Sequence, residues 1–217
     1  MIFKSFELNK IDYKIKFYLF YGENQGHKNE IIEEKFKKKY PESTYRYDEF
    51  EVLGNKENFF SNILSKSFFE EEKLIIINRA TDKLKDIIEE IIEKEITDLI
   101  LVLNSNVLEK KSKLRSLFEK NKKTICVPFY DDNDQTLSSM VNTFFREKKI
   151  NISQQLVNLI TSRSRGDRQN LNNELQKIEG FIKDKKKIDM LDILQLTNLA
   201  ENYSVSELID SCLSKNK

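Results

Sequence analysis

The chain of 217 residues is long enough for one medium domain and a smaller one, and its 37 basic and 36 acidic residues give a formal net charge of +1. With 5 Gly, 2 Pro and 2 Cys it is neither a fibrous polymer nor a disulfide framework, and no apolar run is long enough to cross a membrane. The balanced charge provides no overall attraction to nucleic acid or to a membrane surface, and a cytoplasmic protein is expected.

As far as about residue 130, the chain alternates between strand and helix patterns. Short apolar runs predict buried parallel strands at 17–21, 74–77 and 99–103, and weaker candidates at 44–47 and 124–127. Helical stripes lie between them, on Ile31, Ile32 and Phe36, on Phe59, Phe60, Ile63 and Leu64, on Leu84, Ile87, Ile88, Ile91 and Ile92, and on Leu114, Leu117 and Phe118. This order predicts an α/β domain over residues 1–134, with an open parallel sheet covered by helices on both faces.

The acidic, turn-rich segment 131–134 is the best candidate for a domain boundary, because no strand pattern follows it. Three helical stripes then predict a small three-helix domain over residues 135–200. Ser153 is expected to cap the second of these helices, and Gly180 to weaken the end of the third. A further stripe from about Ser204 indicates the start of another helical domain at 201–217. A lone helix cannot bury such a stripe, so we expect the chain to be a fragment of a longer protein.

A turn that contains glycine and lysine follows the first predicted strand and leads into a helix expected to begin near Glu30. Gly22 and Lys28 are separated as in the phosphate-binding loop GxxxxGK[ST], whose backbone N–H groups surround phosphates and whose lysine reaches the outer phosphates. However, His27 replaces the second glycine, and Asn29 replaces the hydroxyl residue that binds magnesium. The loop is therefore either a plain strand-to-helix turn or a weakened nucleotide site.

The sequence also lacks, at the expected places, the acidic residues and the activated nucleophile that a hydrolytic enzyme of this kind would need. The strands at 74–77 and 99–103 run into asparagine-containing segments and supply no carboxylate that would bind a metal or position water. His27 is the only histidine, and neither Cys126 nor Cys212 has a neighbouring motif that would activate it. We predict no catalytic residue, no metal ligand and no cofactor.

An aromatic pair, Phe68 and Phe69, stands in the connection before the strand at 74–77, with charged residues on both sides. Adjacent residues in a turn point in different directions, so at least one of the two rings is expected to be exposed. The pair either packs the preceding helix against the sheet or forms a plug for an apolar pocket on a partner protein.

Several segments, taken together in their order and spacing, resemble the delta subunit family of the bacterial DNA polymerase III clamp loader. They are Tyr18–Gly22, Ser67–Phe69, Leu99–Val102, Lys110–Arg115, Gly166–Arg168, Glu174–Lys177 and Glu201–Val205. The resemblance implies an AAA+-like fold with a degenerate phosphate loop, a three-helix lid, and a C-terminal helical collar of which this chain would contain only the start. It also implies a subunit without ATPase activity.

The resemblance further implies a clamp-binding site at Phe68 and Phe69, where the family has a hydrophobic residue followed by Phe. These side chains would enter a hydrophobic pocket of the ring-shaped sliding clamp, the beta subunit, and favour its open form for loading onto primed DNA. The implied partners are this clamp, the tau/gamma and delta prime subunits, and primer-template DNA through the assembled complex, with no membrane partner. Active relatives have a lid arginine three residues after a glycine. Counted from Gly166, that position is Gln169, and Arg168 is one place early.

The residues leave two other functions open. One is an ATP-hydrolysing P-loop or AAA+ protein with an unusual nucleotide loop. The other is a nucleic-acid-binding module that uses Lys110, Lys111, Lys113 and Arg115, although such residues also form solvated helix starts.

Overall fold

The computed structural model of the protein describes residues 1–10, 15–65 and 72–182, together with residues 192, 193, 196, 213 and 214. The chain forms two compact units, Met1–Asp131 and Asp132–Lys217. In the described residues, every helix is too short or too polar to span a lipid bilayer.

The first unit contains a parallel sheet of five strands, in the order β2-β3-β4-β1-β5. Their bounds are β1 (Phe17–Tyr21), β2 (Thr44–Asp48), β3 (Lys73–Asn78), β4 (Leu99–Asn104) and β5 (Thr124–Pro128). Phe17 of β1 lies opposite Leu101 on one side and Thr124 on the other. The strand order reverses between β4 and β1, and in open α/β sheets the crevice outside the carboxyl ends at such a point is where ligands bind.

Five α-helices are found among the described residues of this unit. They are α1 (Gln25–Ile31), α2 (Glu49–Gly54), α3 (Lys56–Leu64), α4 (Lys85–Glu93) and α5 (Lys113–Lys120), and a π-helical turn at Ile32–Lys37 continues α1. The first helix begins at Gln25, earlier than the expected start near Glu30, because the Asn24 side chain caps it by accepting from the His27 N–H. No apolar stripe predicted α2, since Val52 is its one buried residue.

Alternating side chains of β1 point into two separate cores. Phe17, Leu19 and Tyr21 pack with apolar residues of α3, α4 and α5 on one face of the sheet. Tyr18 and Phe20 pack on the other face, with residues of α1 and of the turn that follows it. The prediction of an α/β domain with a parallel sheet buried on both faces is therefore confirmed.

The second unit is a small helical bundle. Between residues 132 and 182 its helices are α6 (Asp134–Glu147), α7 (Gln154–Arg163) and α8 (Arg168–Ile182), which share one apolar core. Ser153 caps α7 as predicted, because its Oγ accepts from the Leu156 N–H at 3.3 Å. The helix α8 continues through Gly180 to Ile182, whose burial offsets the low helix propensity of glycine. The predicted helix from Ser204 lies outside the described residues except for Leu213 and Ser214.

Candidate functional site

A polar cleft of about 660 Å³ lies at the carboxyl end of the sheet. Its walls include Gly22, Gln25, Asn29, Asn78, Arg79 and Asn104, which follow or end strands β1, β3 and β4 or lie on α1. This is the position in which the sequence predicted either a plain turn or a weakened nucleotide site, and the volume is sufficient for a small ligand. The contacts within the loop decide which chemistry the cleft retains.

Gly22 is required by a close crossing of two backbone segments. Its φ is +125°, and a Cβ built on it would lie 2.1 Å from the carbonyl oxygen of Phe129. The Phe129 N–H donates to the Tyr21 carbonyl at 2.8 Å, so the segment after β5 is fastened directly over the glycine. The glycine at this position thus makes room for the protein's own backbone.

Four backbone N–H groups of this segment are bonded within the protein. Those of Gly22 and Asn24 donate to the carbonyls of Asn106 and Phe129, at 3.2 and 3.4 Å. Those of His27 and Lys28 donate to the side-chain and backbone oxygens of Asn24, at 2.9 and 3.1 Å. In a working phosphate loop such donors face the phosphates. Here they are already occupied by internal acceptors.

The Lys28 side chain is fully buried and turned inward. Its ammonium group donates to the Gly22 carbonyl at 2.8 Å and to the Ser105 carbonyl. No carboxylate among the described residues pairs with it, and burial lowers its pKa from 10.5 to about 8. Lys28 therefore joins the carboxyl ends of β1 and β4, and this use of its donors competes with reaching a phosphate.

The two residues that depart from the phosphate-loop pattern also have internal contacts. The His27 ring packs edge-on against the Phe129 ring, with centroids 5.0 Å apart. The Asn29 Oδ1 accepts from the Gln25 side chain at 3.2 Å. Gly22 thus lies in the turn after β1, whereas His27, Lys28 and Asn29 lie on α1, and packing and internal hydrogen bonds hold all four.

The strand ends beside the loop present amides where a hydrolase would need acids. The Asn104 Nδ2, at the end of β4, donates to the Asn78 Oδ1 at the end of β3, over 3.2 Å. The Arg79 side chain lies 3.4 Å from the Asp48 carboxylate. Within the described parts of the chain, no three acidic, histidine or cysteine side chains are grouped so that they could hold a metal ion. The arrangement offers hydrogen bonds and an ion pair at the strand ends of the cleft.

Arg168 stands one place before the position at which active relatives have a lid arginine, and its side chain is held within the second unit. Its Nε and Nη2 each donate to a carboxylate oxygen of Asp132 at 2.7 Å, and both side chains are largely buried. This bidentate pair fixes the start of α8 to the start of the unit. At the position of that lid arginine this chain has Gln169, whose backbone N–H donates to the Asp167 carboxylate at 2.6 Å.

Phe68 and Phe69 lie outside the described residues, so their exposure stays a prediction. The residues on either side of their connection are well anchored. The segment before it is held by the largely buried Lys73, whose Nζ donates to the carbonyls of Asn62, at 3.2 Å, and of Ser65. After it, the Glu72 carboxylate accepts from Lys16 Nζ at 2.6 Å and from the Tyr40 hydroxyl at 2.7 Å. Glu72 is thus part of a half-buried network.

Sequence reasoning missed Asn24, which organises the loop. Its Oδ1 caps α1, its carbonyl accepts from Lys28, and its Nδ2 donates to the Tyr130 carbonyl at 3.1 Å. An asparagine directly before a helix is a recognised capping signal, so the cap was within reach of sequence reasoning. The bond to Tyr130, 106 positions away, was not.

The chain matches no protein-family model, and no curated protein sequence matches it. Among solved structures, the Bacillus subtilis DNA clamp loader delta protein (YqeN) aligns with 98% of this chain over 70% of its own length, with a TM-score of 0.58 and 15% identity. A single-residue variant of Thermotoga maritima RuvB aligns with 83% of this chain, with a TM-score of 0.52 and 14% identity, and the chain spans 60% of its length. At such identities the likeness concerns the fold, which is AAA+-like, as the sequence resemblance implied.

Proposed function

We propose that this chain acts as a clamp-loader subunit of the delta type, which binds the ring-shaped sliding clamp and favours its open form without hydrolysing ATP. The observation that carries the proposal is the internal use of the phosphate-loop donors. The Lys28 ammonium and the loop N–H groups bond to the chain's own carbonyls and to Asn24. An AAA+-like fold with this loop suits a subunit that has kept the scaffold and lost the nucleotide chemistry.

The proposed contact with the clamp is made by Phe68 and Phe69. Support comes from the family resemblance of the sequence and from the anchored residues Ser65 and Glu72 on either side of the connection. Two aromatic rings entering an apolar pocket stabilise the complex by about 1.5–3 kcal/mol each. Opening follows if the contact is stronger with the open ring than with the closed one, because only this difference shifts the equilibrium.

The further partners we propose are the tau/gamma and delta prime subunits, with primer-template DNA engaged through the assembled complex in the cytoplasm. The competing function, an ATP-hydrolysing AAA+ protein, would require the Lys28 side chain and the loop N–H groups to exchange their present partners for phosphate. ATP turnover by the chain that is abolished by Lys28→Ala would establish that function and overturn the proposal.

The test is calorimetric titration of the sliding clamp into the chain and into a Phe68→Ala, Phe69→Ala variant. We expect at least about 100-fold weaker binding by the variant, since about 3 kcal/mol or more of contact energy is lost. Phe50→Ala is the matched control, because Phe50 on α2 is 85% exposed and its removal also deletes one exposed benzyl group. Equal affinity of the doubly substituted variant and the unmodified chain would refute the assignment of the site.

A further inference from the structure

The first residue of β3, Lys73, is a lysine that is only 7% exposed. Its ammonium group has three N–H donors, and each has an acceptor at the C-terminal end of α3. The acceptors are the Asn62 carbonyl at 3.2 Å, the Ser65 hydroxyl at 3.1 Å and the Ser65 carbonyl. Lys73 therefore fastens the end of α3 to the beginning of β3.

The backbone at the start of β3 is fixed inside the sheet. The Lys73 N–H donates to the Asp98 carbonyl, directly before β4, at 2.7 Å, and the Leu74 N–H donates to the Ser43 carbonyl, directly before β2, at 2.9 Å. The Tyr45 ring of β2 lies beside the ammonium group, with 6.0 Å between the nitrogen and the ring centroid. The side chain of Lys73 thus joins a helix end to a rigid point of the sheet.

A similar link exists at the start of β5, where it involves no charge. Thr124, the first residue of that strand, donates its hydroxyl hydrogen to the carbonyl of Phe118 in α5, 2.7 Å away. Three residues, 121–123, separate α5 from β5, whereas eight residues, 65–72, separate α3 from β3. A buried ammonium group costs more to desolvate than a hydroxyl group, so its use at the longer connection indicates a demand specific to that connection.

The far end of the longer connection is held by Glu72. Its carboxylate accepts from the Lys16 ammonium group at 2.6 Å and from the Tyr40 hydroxyl at 2.7 Å. The six residues 66–71, which contain the aromatic pair, therefore stand between two fixed points, Ser65 on one side and Glu72 on the other.

From these contacts we propose that Lys73 is a positioning residue for the clamp contact, because it fixes the end of the segment that leads into Phe68 and Phe69. The inference rests on the proposed function, since it assigns Lys73 a part in the binding of the clamp. Fixing both ends of a segment beforehand reduces the conformational entropy that binding must remove, so the affinity of the folded chain depends on the link. Lys73 acts through the connection and not by touching the clamp, because its side chain is buried and its three donors are used.

The test compares two variants that each remove one link between a helix end and a strand start. Lys73→Met keeps the length of the side chain and removes its donors. Thr124→Val is the matched control, because it removes the hydroxyl that bonds to the Phe118 carbonyl at the opposite edge of the sheet. Thermal unfolding gives a temperature at which both variants are folded, and the sliding clamp is then titrated calorimetrically into each of them and into the unmodified 217-residue chain.

We expect Lys73→Met to bind the clamp about 10-fold more weakly, with a less favourable entropy of binding, and Thr124→Val to bind it like the unmodified chain. A second measurement examines the link without the clamp. The Ser65 N–H donates to the Ser61 carbonyl at 2.9 Å in the last turn of α3. Its hydrogen exchange, followed by NMR, should be about 5-fold faster in Lys73→Met, because the end of the helix opens more often.

Equal affinity of Lys73→Met and the unmodified chain would overturn the inference alone. An equal loss of affinity in Lys73→Met and Thr124→Val would do the same, since it would reflect a general loss of stability, and so would unchanged exchange of the Ser65 N–H. Absence of clamp binding, or full affinity of the Phe68→Ala, Phe69→Ala variant, would overturn the proposed function and this inference with it.

A milder variant serves if Lys73→Met does not fold. Ser65→Ala, at an exposed position, removes one of the three acceptors of the ammonium group. It is expected to weaken clamp binding by about 3-fold, and unchanged affinity would overturn the inference.

Discussion

The buried Lys28 ammonium makes the stability of the first unit depend on pH in an unusual direction. Burial lowers the pKa of this group from 10.5 to about 8. Between these two values the folded chain holds Lys28 neutral while the unfolded chain keeps it charged, so the unfolded state binds more protons. The free energy of unfolding must therefore rise with pH in this window.

The magnitude follows from the gap between the two pKa values. At about 1.4 kcal/mol per pKa unit, raising the pH from 7 to 10.5 relieves about 3 kcal/mol of the cost of burying the charge. The neutral amine can still donate to the carbonyls of Gly22 and Ser105, so its hydrogen bonds need not be lost with the proton.

Lys28→Met separates these two contributions. The variant leaves two carbonyls without their lysine donor, at about 1–3 kcal/mol each, but it also removes the buried charge. At pH 7 the two effects nearly cancel, and we expect a change of about 1–2 kcal/mol or less in the free energy of unfolding. At pH 10.5 the charge no longer opposes folding of the unmodified chain, so the variant should be less stable by about 3 kcal/mol more than at pH 7.

Urea unfolding at intervals from pH 7 to 10.5 measures this difference. The quantity of interest is the gap between the two stability curves, in which effects of other titrating groups cancel. Lys38→Met removes an exposed ammonium group and controls for the loss of one charge. Parallel curves for the unmodified chain and Lys28→Met would show that Lys28 is not held charged in a buried site, and would refute the reasoning about the loop.

Three further substitutions test features within the two units. Gly22→Ala should destabilise the chain by more than about 2 kcal/mol in thermal unfolding, because φ is +125° and the new Cβ would lie 2.1 Å from the Phe129 carbonyl oxygen. Gly180→Ala, on α8 with nothing within 4 Å of its Cβ position, should instead stabilise by about 0.5–1 kcal/mol, and equal effects at the two sites would contradict the crossing at Gly22. Arg168→Lys should lower the free energy of unfolding by about 1–3 kcal/mol, because lysine cannot reproduce the paired bonds to Asp132. An unchanged value in urea unfolding would mean that the pair contributes nothing to the second unit.

Much of the fold could be predicted because the relevant signals are local. The runs at 17–21, 74–77 and 99–103 are apolar throughout, as strands buried on both faces must be, and each lies in an observed strand. The helix α2 could not be predicted from the sequence, because its one buried residue gives no apolar stripe with helical spacing.

The candidate site was predictable in position but not in its contacts. The glycine and lysine spacing located the turn after β1, and the replacements at His27 and Asn29 left a plain turn and a weakened nucleotide site as the two interpretations. The spacing could not show that the Lys28 ammonium bonds to the Ser105 carbonyl, 77 positions away, or that the Phe129 backbone crosses Gly22. Nor could it separate Arg115, which packs on Tyr21, from the lysines around it.

The amino-acid order determined that this protein has a parallel sheet with helices on both sides, and that its phosphate loop lacks standard residues, because hydrophobic periodicity and residue identity act over a few neighbouring positions. Only the tertiary structure decided where the Lys28 ammonium donates and that Arg115 packs on the Tyr21 ring. Those outcomes depend on distant segments meeting when β1, β4 and β5 pair. Such contacts are set by the packing of the whole unit, and no local pattern encodes them.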